Sequence, residues 1–212
     1  MIITYHGGQF VKISQGDTVI AANPFGKGSQ YKPIRFGARI GLVSVGHPDY
    51  NGTENLSHGE KVPFIIAGPG EYEVSGIAIS GFPAEKPYGK DALLNTIYTV
   101  ELEGIRLCIL GALTSIDIKS EQIEGIGEVD IIFVPVGGDL LSPADAEKVA
   151  VMLGAKLIIP LSPKEGTEKE LTQFLKEAGA EGAIPVDKLT LKKKDLEGKE
   201  GDVVLLEALN HA

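Results

Sequence analysis

The pattern of apolar segments changes near the middle of the sequence, and this change limits the folds that the chain can adopt. The first half is a series of short apolar runs separated by glycine-containing turns, a pattern that predicts strands. These runs are Ile2–Tyr5, Phe10–Ile13, Thr18–Ala22, Ile40–Val45, Pro63–Ile66, Tyr72–Val74, Ile77–Ile79, Asn95–Leu102 and Ile105–Leu110. Further strands alternate with amphipathic segments in the second half. We therefore expect an α/β (α+β) fold in which two sheets pack together with helices outside.

Helix start and stop signals mark the second half. Ser142 as N-cap and Pro143 at the first helical position predict a helix that ends before Gly154. Thr167 and Glu170 have the spacing of a capping box and predict a second helix, closed by Gly179. The remaining elements are a short helix near Ser120–Ile126 and strands at Val129–Val134, Leu157–Pro160, Lys188–Leu191 and Asp202–Leu206.

Composition sets the scale and the expected compartment. The chain has 212 residues, of which 43% are hydrophobic, and no linker or composition break divides it, so we expect one domain over residues 1–212. No apolar run approaches the roughly 18 residues of a membrane span. The N-terminus has no signal-peptide pattern, and Cys108 is the single cysteine. These features predict a cytoplasmic protein that does not bind a membrane.

The charge of the chain argues against a nucleic-acid partner. The net charge is −9, and the one basic run, Lys192-Lys193-Lys194, is followed closely by acidic residues. Nucleic-acid binding usually requires a clustered basic face. We therefore predict no nucleic-acid binding and interpret the lysine run as a solvated strand end or turn.

Several segments together carry a family resemblance that covers nearly the whole chain. They are Gly7-Gly8-Gln9-Phe10, Ala22-Asn23-Pro24-Phe25, the loop at 44–51, Gly68 to Val74, Leu107 to Gly111, Val134 to Gly138 and Ile158 to Ser162. In number, order and spacing they resemble the metallo-β-lactamase superfamily, and within it the zinc-dependent hydrolases related to L-ascorbate-6-phosphate lactonase. The resemblance implies a four-layer αββα sandwich of the metallo-β-lactamase type, with a metal cleft at one edge of the two sheets.

The metal-binding loop of the family matches this chain only in part. Active members have Ser-His-x-His-x-Asp-His-Asn at this place. The chain keeps Ser44, His47, Asp49 and Asn51 in that pattern, but it has Val45 and Tyr50 where the family has histidines. In the family, the counterparts of His47 and Asp49 serve different metals.

Other family ligand positions are also changed. The histidine and the aspartate of a strand-end Cys-His-Leu-Gly-Asp pattern are replaced by Ile109 and Ala112. The histidine after an Ile-Pro dipeptide is replaced by Ser162, and an early aspartate is replaced by Asn23. A catalytic zinc usually needs three protein ligands, and apolar side chains cannot coordinate a cation. We therefore predict that no zinc or other cofactor is bound.

This reading predicts a ligand-binding cleft without a metal ion. Its expected lining is Asn23, Val45, His47, Asp49, Tyr50, Ile109, Ala112 and Ser162. The first hypothesis is a non-catalytic relative that binds an unknown small molecule or protein, with His47 and Asp49 hydrogen-bonded within the loop. The alternative is a hydrolase of lactonase or phosphoester type whose altered or single-metal site uses His47 and Asp49. A third hypothesis is a structural role as a homo-oligomer, since relatives in this branch tend to be oligomeric.

Other residues that could carry chemistry have simpler readings. Of the other histidines, His6 reads as a surface or semi-buried residue, His58 as loop surface and His211 as part of a terminal tail. Cys108 lies in an apolar strand and reads as an inert buried thiol.

Two further arrangements remain open from sequence alone. Ser162 with His47 and Asp49 could form a triad, but no oxyanion signature accompanies it. The loop from Pro135 to Asp139 could bind an anion before a helix, although a close-packed loop is the more common outcome. Glu71 and Glu73 share one face of a strand, which more often is solvated than catalytic.

Overall fold

The computed structural model describes residues 1–59, 62–162 and 167–209, and in these residues the strands form two sheets. The first sheet has the spatial order β12 (Leu189–Thr190), β1 (Ile2–Tyr5), β2 (Val11–Gln15), β3 (Thr18–Ala22), β4 (Ile40–Leu42) and β5 (Phe64–Ile66). The second has the order β13 (Asp202–Val203), β11 (Leu157–Leu161), β10 (Ile131–Pro135), β9 (Ile105–Ile109), β8 (Thr96–Leu102), β7 (Ile77–Pro83) and β6 (Gly70–Val74). The helices are α1 (Ser120–Ile126), α2 (Pro143–Met152) and α3 (Glu168–Glu177).

Two tight turns show how local sequence makes the antiparallel hairpins. Glu103 and Gly104, between β8 and β9, have φ values of 52° and 70°, and Ser75 and Gly76, between β6 and β7, have φ values of 56° and 78°. Two consecutive residues with positive φ are the mark of a type I′ turn, whose twist matches that of the flanking strands. The glycine-containing turns predicted between these pairs of strands are therefore confirmed.

The main hydrophobic core lies between the sheets. Strands of the first sheet alternate in burial, so that Val11 and Ile13 are buried while Lys12 between them is partly exposed. In the second sheet β10 and β11 are buried along their whole length, because helices cover their outer face. The inter-sheet core includes Ile3, Val11, Ile13, Ile20, Leu42, Tyr98, Val100, Leu107, Ile109, Phe133 and Ile159.

Helix α2 packs on the outer face of the second sheet. It begins as predicted: Ser142 is the N-cap, and its hydroxyl accepts a hydrogen bond from the backbone N–H of Asp145. The buried residues of α1, α2 and α3 share one cluster with the outward-facing residues of β9, β10 and β11. The expected mixed α/β architecture, with two sheets and external helices, is confirmed.

The outer face of the first sheet is covered differently. Phe25, Ile34, Phe36 and Ala38, from the irregular segment between β3 and β4, pack there with Phe10, Ala21 and Leu56. Together with the 3-10 helix Thr53–Asn55 they occupy the place of the fourth layer. In the described residues this layer is thus made of irregular chain rather than α-helix.

The capping box predicted for α3 is wrong. Helix α3 begins at the expected place, but Thr167 makes no capping hydrogen bond with its side chain. The carboxylate of Glu170 instead accepts a hydrogen bond of 3.3 Å from the backbone N–H of Gly138, in the loop after β10. Gly137 gives the room for this contact, because a Cβ there would lie 2.9 Å from Glu170 Oε2. A carboxylate of the chain itself therefore takes the place suggested for a bound anion.

Strand β4 is shorter than predicted. The apolar run continues to Val45, but the ladder ends at Leu42. The side chain of Asn23 accepts a hydrogen bond of 2.9 Å from the backbone N–H of Ser44, so this amide bonds to a side chain instead of a neighbouring strand. The loop at 43–51 therefore starts earlier than its apolar sequence indicates.

Two other expectations can be compared with the described residues. Lys193, from the basic run, forms an ion pair with the buried carboxylate of Asp130. Within the described ranges, none of the helices combines the length and the apolar sequence that crossing a membrane requires.

Candidate functional site

The loop at 43–51 folds back on itself at the end of the first sheet. The N–H of His47 donates to the carbonyl of Val45 at 2.8 Å, and the N–H of Tyr50 donates to the carbonyl of His47 at 2.8 Å. These short-range bonds turn the chain twice within six residues. They place Val45 and Tyr50 in the protein interior and leave the His47 side chain 37% exposed.

A small apolar cluster fills the inner side of this loop. Val45, Tyr50, Ala112 and Leu140 form it, with exposed fractions of 1%, 3%, 0% and 9%. Tyr88 and Leu93, from the connection between β7 and β8, pack against it. Three of the predicted cleft residues, Val45, Tyr50 and Ala112, are therefore brought together as a packed apolar group.

Three aromatic rings meet at the outer side of the cluster. The Tyr50 and Tyr88 ring centroids are 5.6 Å apart, and the His47 ring lies edge-on at 6.2 Å from Tyr50 and 6.0 Å from Tyr88. The Tyr50 and Tyr88 side chains are close enough for each to affect the ionisation of the other. Burial, then the neighbouring Tyr88, raise the pKa of Tyr50 well above its usual value, so its phenol stays neutral.

His47 uses one of its two ring nitrogens within the loop. Its Nδ1 accepts a hydrogen bond of 3.2 Å from the backbone N–H of Asp49. An imidazole nitrogen that accepts a hydrogen bond carries no proton, so the other nitrogen carries it in the neutral ring. His47 Nδ1 also lies 3.8 Å from Asp49 Oδ2, which is too long for a hydrogen bond.

Asp49 is held by the segment that follows β3. Its Oδ1 accepts from the Ser29 hydroxyl at 2.6 Å and from the Gln30 N–H at 3.1 Å, and its Oδ2 accepts from Gln30 Nε2 at 2.9 Å. The residue is 9% exposed. Three donors on one carboxylate stabilise its charge without a metal ion. The prediction that the Asp49 side chain bonds within its own loop is therefore wrong, because its carboxylate accepts from Ser29 and Gln30 in a neighbouring segment.

Two buried side-chain amides connect the loops around the cluster. Asn23 accepts from the Ser44 N–H and donates to the carbonyl of Gln9 at 3.3 Å, so it joins the first hairpin to the 43–51 loop. Asn95 donates to the carbonyl of Leu110 at 2.9 Å and accepts from the N–H of Ala112 at 2.8 Å. Both amides are 0% exposed. They fix the backbone on two sides of the site through neutral hydrogen bonds.

Ile109 and Ser162 do not belong to the apolar cluster. Ile109 belongs to the inter-sheet core and pairs with Tyr98 across β8 and β9. The hydroxyl of Ser162 forms a short hydrogen bond with that of Thr167, and its carbonyl accepts from the Tyr5 hydroxyl at 2.8 Å. Because the Ser162 hydroxyl bonds to Thr167 and His47 Nδ1 bonds to a backbone amide, these contacts are not those of a Ser-His-Asp triad.

The donor atoms at the site do not fit a zinc ion. The described residues contain no group of three or more His, Cys, Asp or Glu side chains placed to hold a metal ion. At the loop, His47 and Asp49 are the nearby donors, and each is already hydrogen-bonded. Catalytic zinc needs about three protein ligands within roughly 2.0–2.3 Å.

The site also contains residues that the sequence did not single out. Leu140, Tyr88 and Leu93 complete the cluster, and Ser29 and Gln30 hold Asp49. They lie in loops far from residue 47 along the chain, so their approach depends on topology. An asparagine directly before an apolar strand, as at Asn95, is the one local signal that could have indicated a buried polar role.

The remaining candidate residues are either buried in the interior or exposed at the surface. Cys108 is fully buried, and burial raises the pKa of its thiol to about 12, which suppresses the reactive thiolate. Glu71 and Glu73 are exposed on the edge strand β6, and Glu71 accepts from Ser80 Oγ at 2.6 Å. His6 is buried, and its ring lies 4.8 Å from that of Phe10, whereas His58 is exposed. His211 lies outside the described residues.

Sequence and structure comparisons identify relatives across most of the chain. A family model described as the beta-lactamase superfamily domain matches residues 2–162. A metal-dependent hydrolase of the UPF0173 group from Listeria monocytogenes is 24% identical over 193 residues, which covers 76% of this chain and 84% of that protein.

Solved structures show the same fold. A candidate zinc-dependent hydrolase of the metallo-β-lactamase superfamily from Thermotoga maritima superposes with a TM-score of 0.77 and 29% identity, covering 97% of this chain and 98% of that one. The metallo hydrolase Igni18 from Ignicoccus hospitalis superposes with a TM-score of 0.64 and 15% identity, over 90% and 99% of the two chains. The chain therefore belongs to the beta-lactamase superfamily and has the metallo-β-lactamase fold of the metal-dependent hydrolases.

Proposed function

We propose that this protein is a non-catalytic member of its family, which has lost most metal ligands and binds a small molecule or a protein partner. One observation carries the proposal. At positions where the resemblance implies metal ligands, Val45, Tyr50 and Ala112 pack into a buried apolar cluster with Leu140. A hydrated or coordinated cation cannot share such a site without a large desolvation cost.

The surviving polar residues support the same proposal. Asp49 accepts three hydrogen bonds from Ser29 and Gln30, so most of its acceptor capacity is already used within the protein. His47 Nδ1 accepts the Asp49 amide, which occupies the lone pair that a general base or a ligand would use there. The hydrogen bonds of these two residues therefore hold the loop in place, and we propose that the protein binds no zinc.

A hydrolase of lactonase or phosphoester type remains the second candidate. It is favoured by the names of the Listeria and Thermotoga relatives and by the half-exposed imidazole of His47 beside Asp49. In this case His47 and Asp49 would form an altered or single-metal site, and the loop would have to release both side chains from their present hydrogen bonds.

The proposal also includes the cellular location of the protein, its partners and its oligomeric state. The single cysteine, which is buried and unpaired, suits a cytoplasmic location. The net charge of −9 and the pairing of Lys193 with Asp130 speak against a nucleic-acid partner. A homo-oligomer stays a prediction; light scattering that gives the mass of one chain, 22.5 kDa, would contradict it.

An activity panel separates the two candidates. Purified protein is assayed on lactones, carboxylic esters and phosphodiesters with added zinc or manganese, beside a His47→Ala variant. The non-catalytic proposal expects parent and variant to give the same background rate. Metal-dependent turnover in the parent that disappears in His47→Ala would overturn it and establish the hydrolase.

A further inference from the structure

A strap of residues 85–94, between β7 and β8, covers the apolar cluster. Its base is closed by a hydrogen bond of 2.8 Å from Ala84 N–H to the carbonyl of Asn95. Nearer the tip, Tyr88 and Leu93 exchange two backbone hydrogen bonds of 2.7 and 2.9 Å. The strap is thus a hairpin extension whose side chains, rather than a sheet ladder, connect it to the site.

The anchors of the strap are weak compared with those of the sheet. Two ion pairs link its first residues to the segment before and at the start of α1: Lys86 with Asp117 at 3.5 Å and Glu85 with Lys119 at 3.0 Å. Lys86, Asp117 and Lys119 have side chains that are about 60% exposed, and Glu85 is 30% exposed; ion pairs with such exposure contribute little to stability. Leu94 is 74% exposed. Segments with few buried contacts open more readily than core strands.

Tyr88 is a residue of the strap that packs directly against the site. The centroid of its ring lies 5.6 Å from that of Tyr50 and 6.0 Å from that of His47, and both contacts are edge-on. Tyr50 is buried and belongs to the wall of the cluster, whereas Tyr88 is only partly buried and arrives on the strap. The site therefore already packs against one phenol ring, which its own chain supplies.

We propose that this site binds a neutral or cationic aromatic ligand with a hydrogen-bonding oxygen, such as a phenol or an aryl ether, which replaces the Tyr88 ring when the strap lifts. The Tyr50 hydroxyl then bonds to the ligand oxygen, and the ring lies on Val45, Ala112 and Leu140. This inference rests on the proposed function, because it needs the apolar cluster and not a metal ion at this place.

The charges around the site select against anionic ligands. Asp49 Oδ2 lies 3.8 Å from Nδ1 of His47, whose ring centroid is 6.0 Å from that of Tyr88. Burial raises the pKa of Tyr88, Tyr50 lowers it, and the carboxylates of Asp49 and Asp139 raise it further. The negative charge of these two carboxylates also disfavours a carboxylate or phosphate group on a ligand that takes the position of Tyr88. An aromatic acid should therefore bind more weakly than a phenol of the same shape.

The first experiment measures p-cresol, the side-chain analogue of tyrosine, by titration calorimetry against wild type, Tyr88→Ala and the control Tyr72→Ala on edge strand β6. We expect Tyr88→Ala to bind p-cresol at least tenfold more tightly than wild type or Tyr72→Ala, and at least tenfold more tightly than it binds 4-methylbenzoate. Equal affinity for p-cresol in all three proteins, or a preference for 4-methylbenzoate, would overturn the proposal.

A second experiment uses wild type, so that it does not depend on the folding of a variant. Hydrogen exchange is followed at the amides of Tyr88 and Leu93 and at Val100 in β8, with and without saturating p-cresol. The strap amides should exchange faster than Val100, and p-cresol should accelerate them at least threefold without affecting Val100. Strap amides as protected as Val100 would contradict the lifting strap. Zinc is quantified in the same samples: a stoichiometric metal refutes the proposed function, whereas unmoved strap amides without zinc refute this inference alone.

Discussion

At the residue scale, the side-chain amide of Asn95 bridges the carbonyl of Leu110 and the N–H of Ala112 beside the cluster. Asn23 does the same on the other side, between Gln9 and Ser44. A metal centre would hold such loops through charged ligands. Here neutral hydrogen bonds in a buried setting hold them, and these bonds are strong only while every partner is present.

Replacing Asn95 tests this role. Asn95→Ala leaves a buried carbonyl and a buried N–H without their partner, so we expect the free energy of unfolding to fall by about 2–4 kcal/mol. Urea denaturation measures the change. The control is Asn51→Ala, at an exposed asparagine in the same region, which should cost less than about 1 kcal/mol. Equal losses in the two variants would show that the Asn95 amide is not a structural connector.

Restoring donors tests whether residue identity is what excludes zinc. The triple variant Val45→His, Tyr50→His, Ala112→Asp adds three of the ligand types that the family resemblance implies. Zinc at about 100 times its Kd should then stabilise the variant by about 2.7 kcal/mol through linkage, seen as a rise in Tm. The same variant with His47→Ala should respond less. An equal rise in Tm of the wild type with zinc would contradict the account.

At the element scale, the turn after β9 determines how closely the two sheets approach at the site. Gly111 has φ of 63°, and a Cβ on it would lie 2.4 Å from the side chain of Ser44 and 2.5 Å from Asn95 Oδ1. The end of the second sheet thus lies directly against the loop that follows the first. This contact needs glycine for both its backbone conformation and its lack of a side chain.

The Gly111→Ala variant should therefore lose both backbone and packing energy. We expect a loss of about 3 kcal/mol or more in the free energy of unfolding, measured by urea denaturation. Gly16→Ala is the matched control, because Gly16 has φ of 54° with no atom within 4 Å of an added Cβ. It should lose only the backbone part, about 1–2 kcal/mol. A Gly111→Ala loss no larger than that of Gly16→Ala would disprove the close packing.

A second joint between elements lies at the opposite end of the second sheet. Asp130 precedes β10, and its side chain is 6% exposed. It accepts from Lys156 Nζ at 2.8 Å, from Lys193 Nζ at 2.6 Å and from the Arg106 N–H at 2.9 Å. Burial raises the pKa of this carboxyl, but the three donors outweigh burial, so the pKa is lowered.

This shift predicts how stability depends on pH. A carboxyl whose pKa is lower in the folded state stabilises the protein above the unfolded value of about 3.9, and that stability is lost as pH falls through the folded pKa. Wild type should therefore lose more stability between pH 4 and pH 2 than Asp130→Asn does, and it should be the more stable protein at pH 7. Asp17→Asn, in an exposed turn, should follow wild type. Parallel curves for wild type and Asp130→Asn would contradict this.

Strand and helix positions could largely be predicted because their signals are local. Glu103-Gly104 and Ser142-Pro143 fix a turn and a helix start through backbone conformation and capping alone. The capping box at Thr167 failed because Glu170 finds a distant partner, the amide of Gly138. The strand end at Leu42 was missed because the competing acceptor, Asn23, lies 21 residues from Ser44. Patterns of neighbouring residues cannot predict hydrogen bonds between residues that lie far apart in the sequence.

The candidate site was predictable only in part, for the same reason. The loop itself identified Val45, His47, Asp49 and Tyr50. The contacts that decide its chemistry come from Tyr88 and Leu140, whose approach depends on how the sheets pack. Ile109, although at a family ligand position, lies in the inter-sheet core. Sequence patterns can thus locate such a loop, but its surroundings must be seen in the fold.

At the scale of the whole molecule, the chain has the fold of its family, and we propose that the site at the edge of the sheets no longer holds a metal ion. The inter-sheet core and the helices on the second sheet form independent buried clusters. The apolar cluster around Val45 is a separate, smaller group. Because the two large cores are separate from this cluster, we expect the sandwich to fold without a metal ion and residues 1–212 to behave as one domain.

The central claim is that this edge of the sandwich holds no catalytic cation. The most direct measurement is the zinc content of protein that is purified without chelator, incubated with excess zinc and desalted, determined by plasma mass spectrometry. We expect far less than one zinc ion per chain, with the same residual amount in His47→Ala and Asp49→Ala variants. One or two zinc ions per chain, lost in those variants, would contradict it.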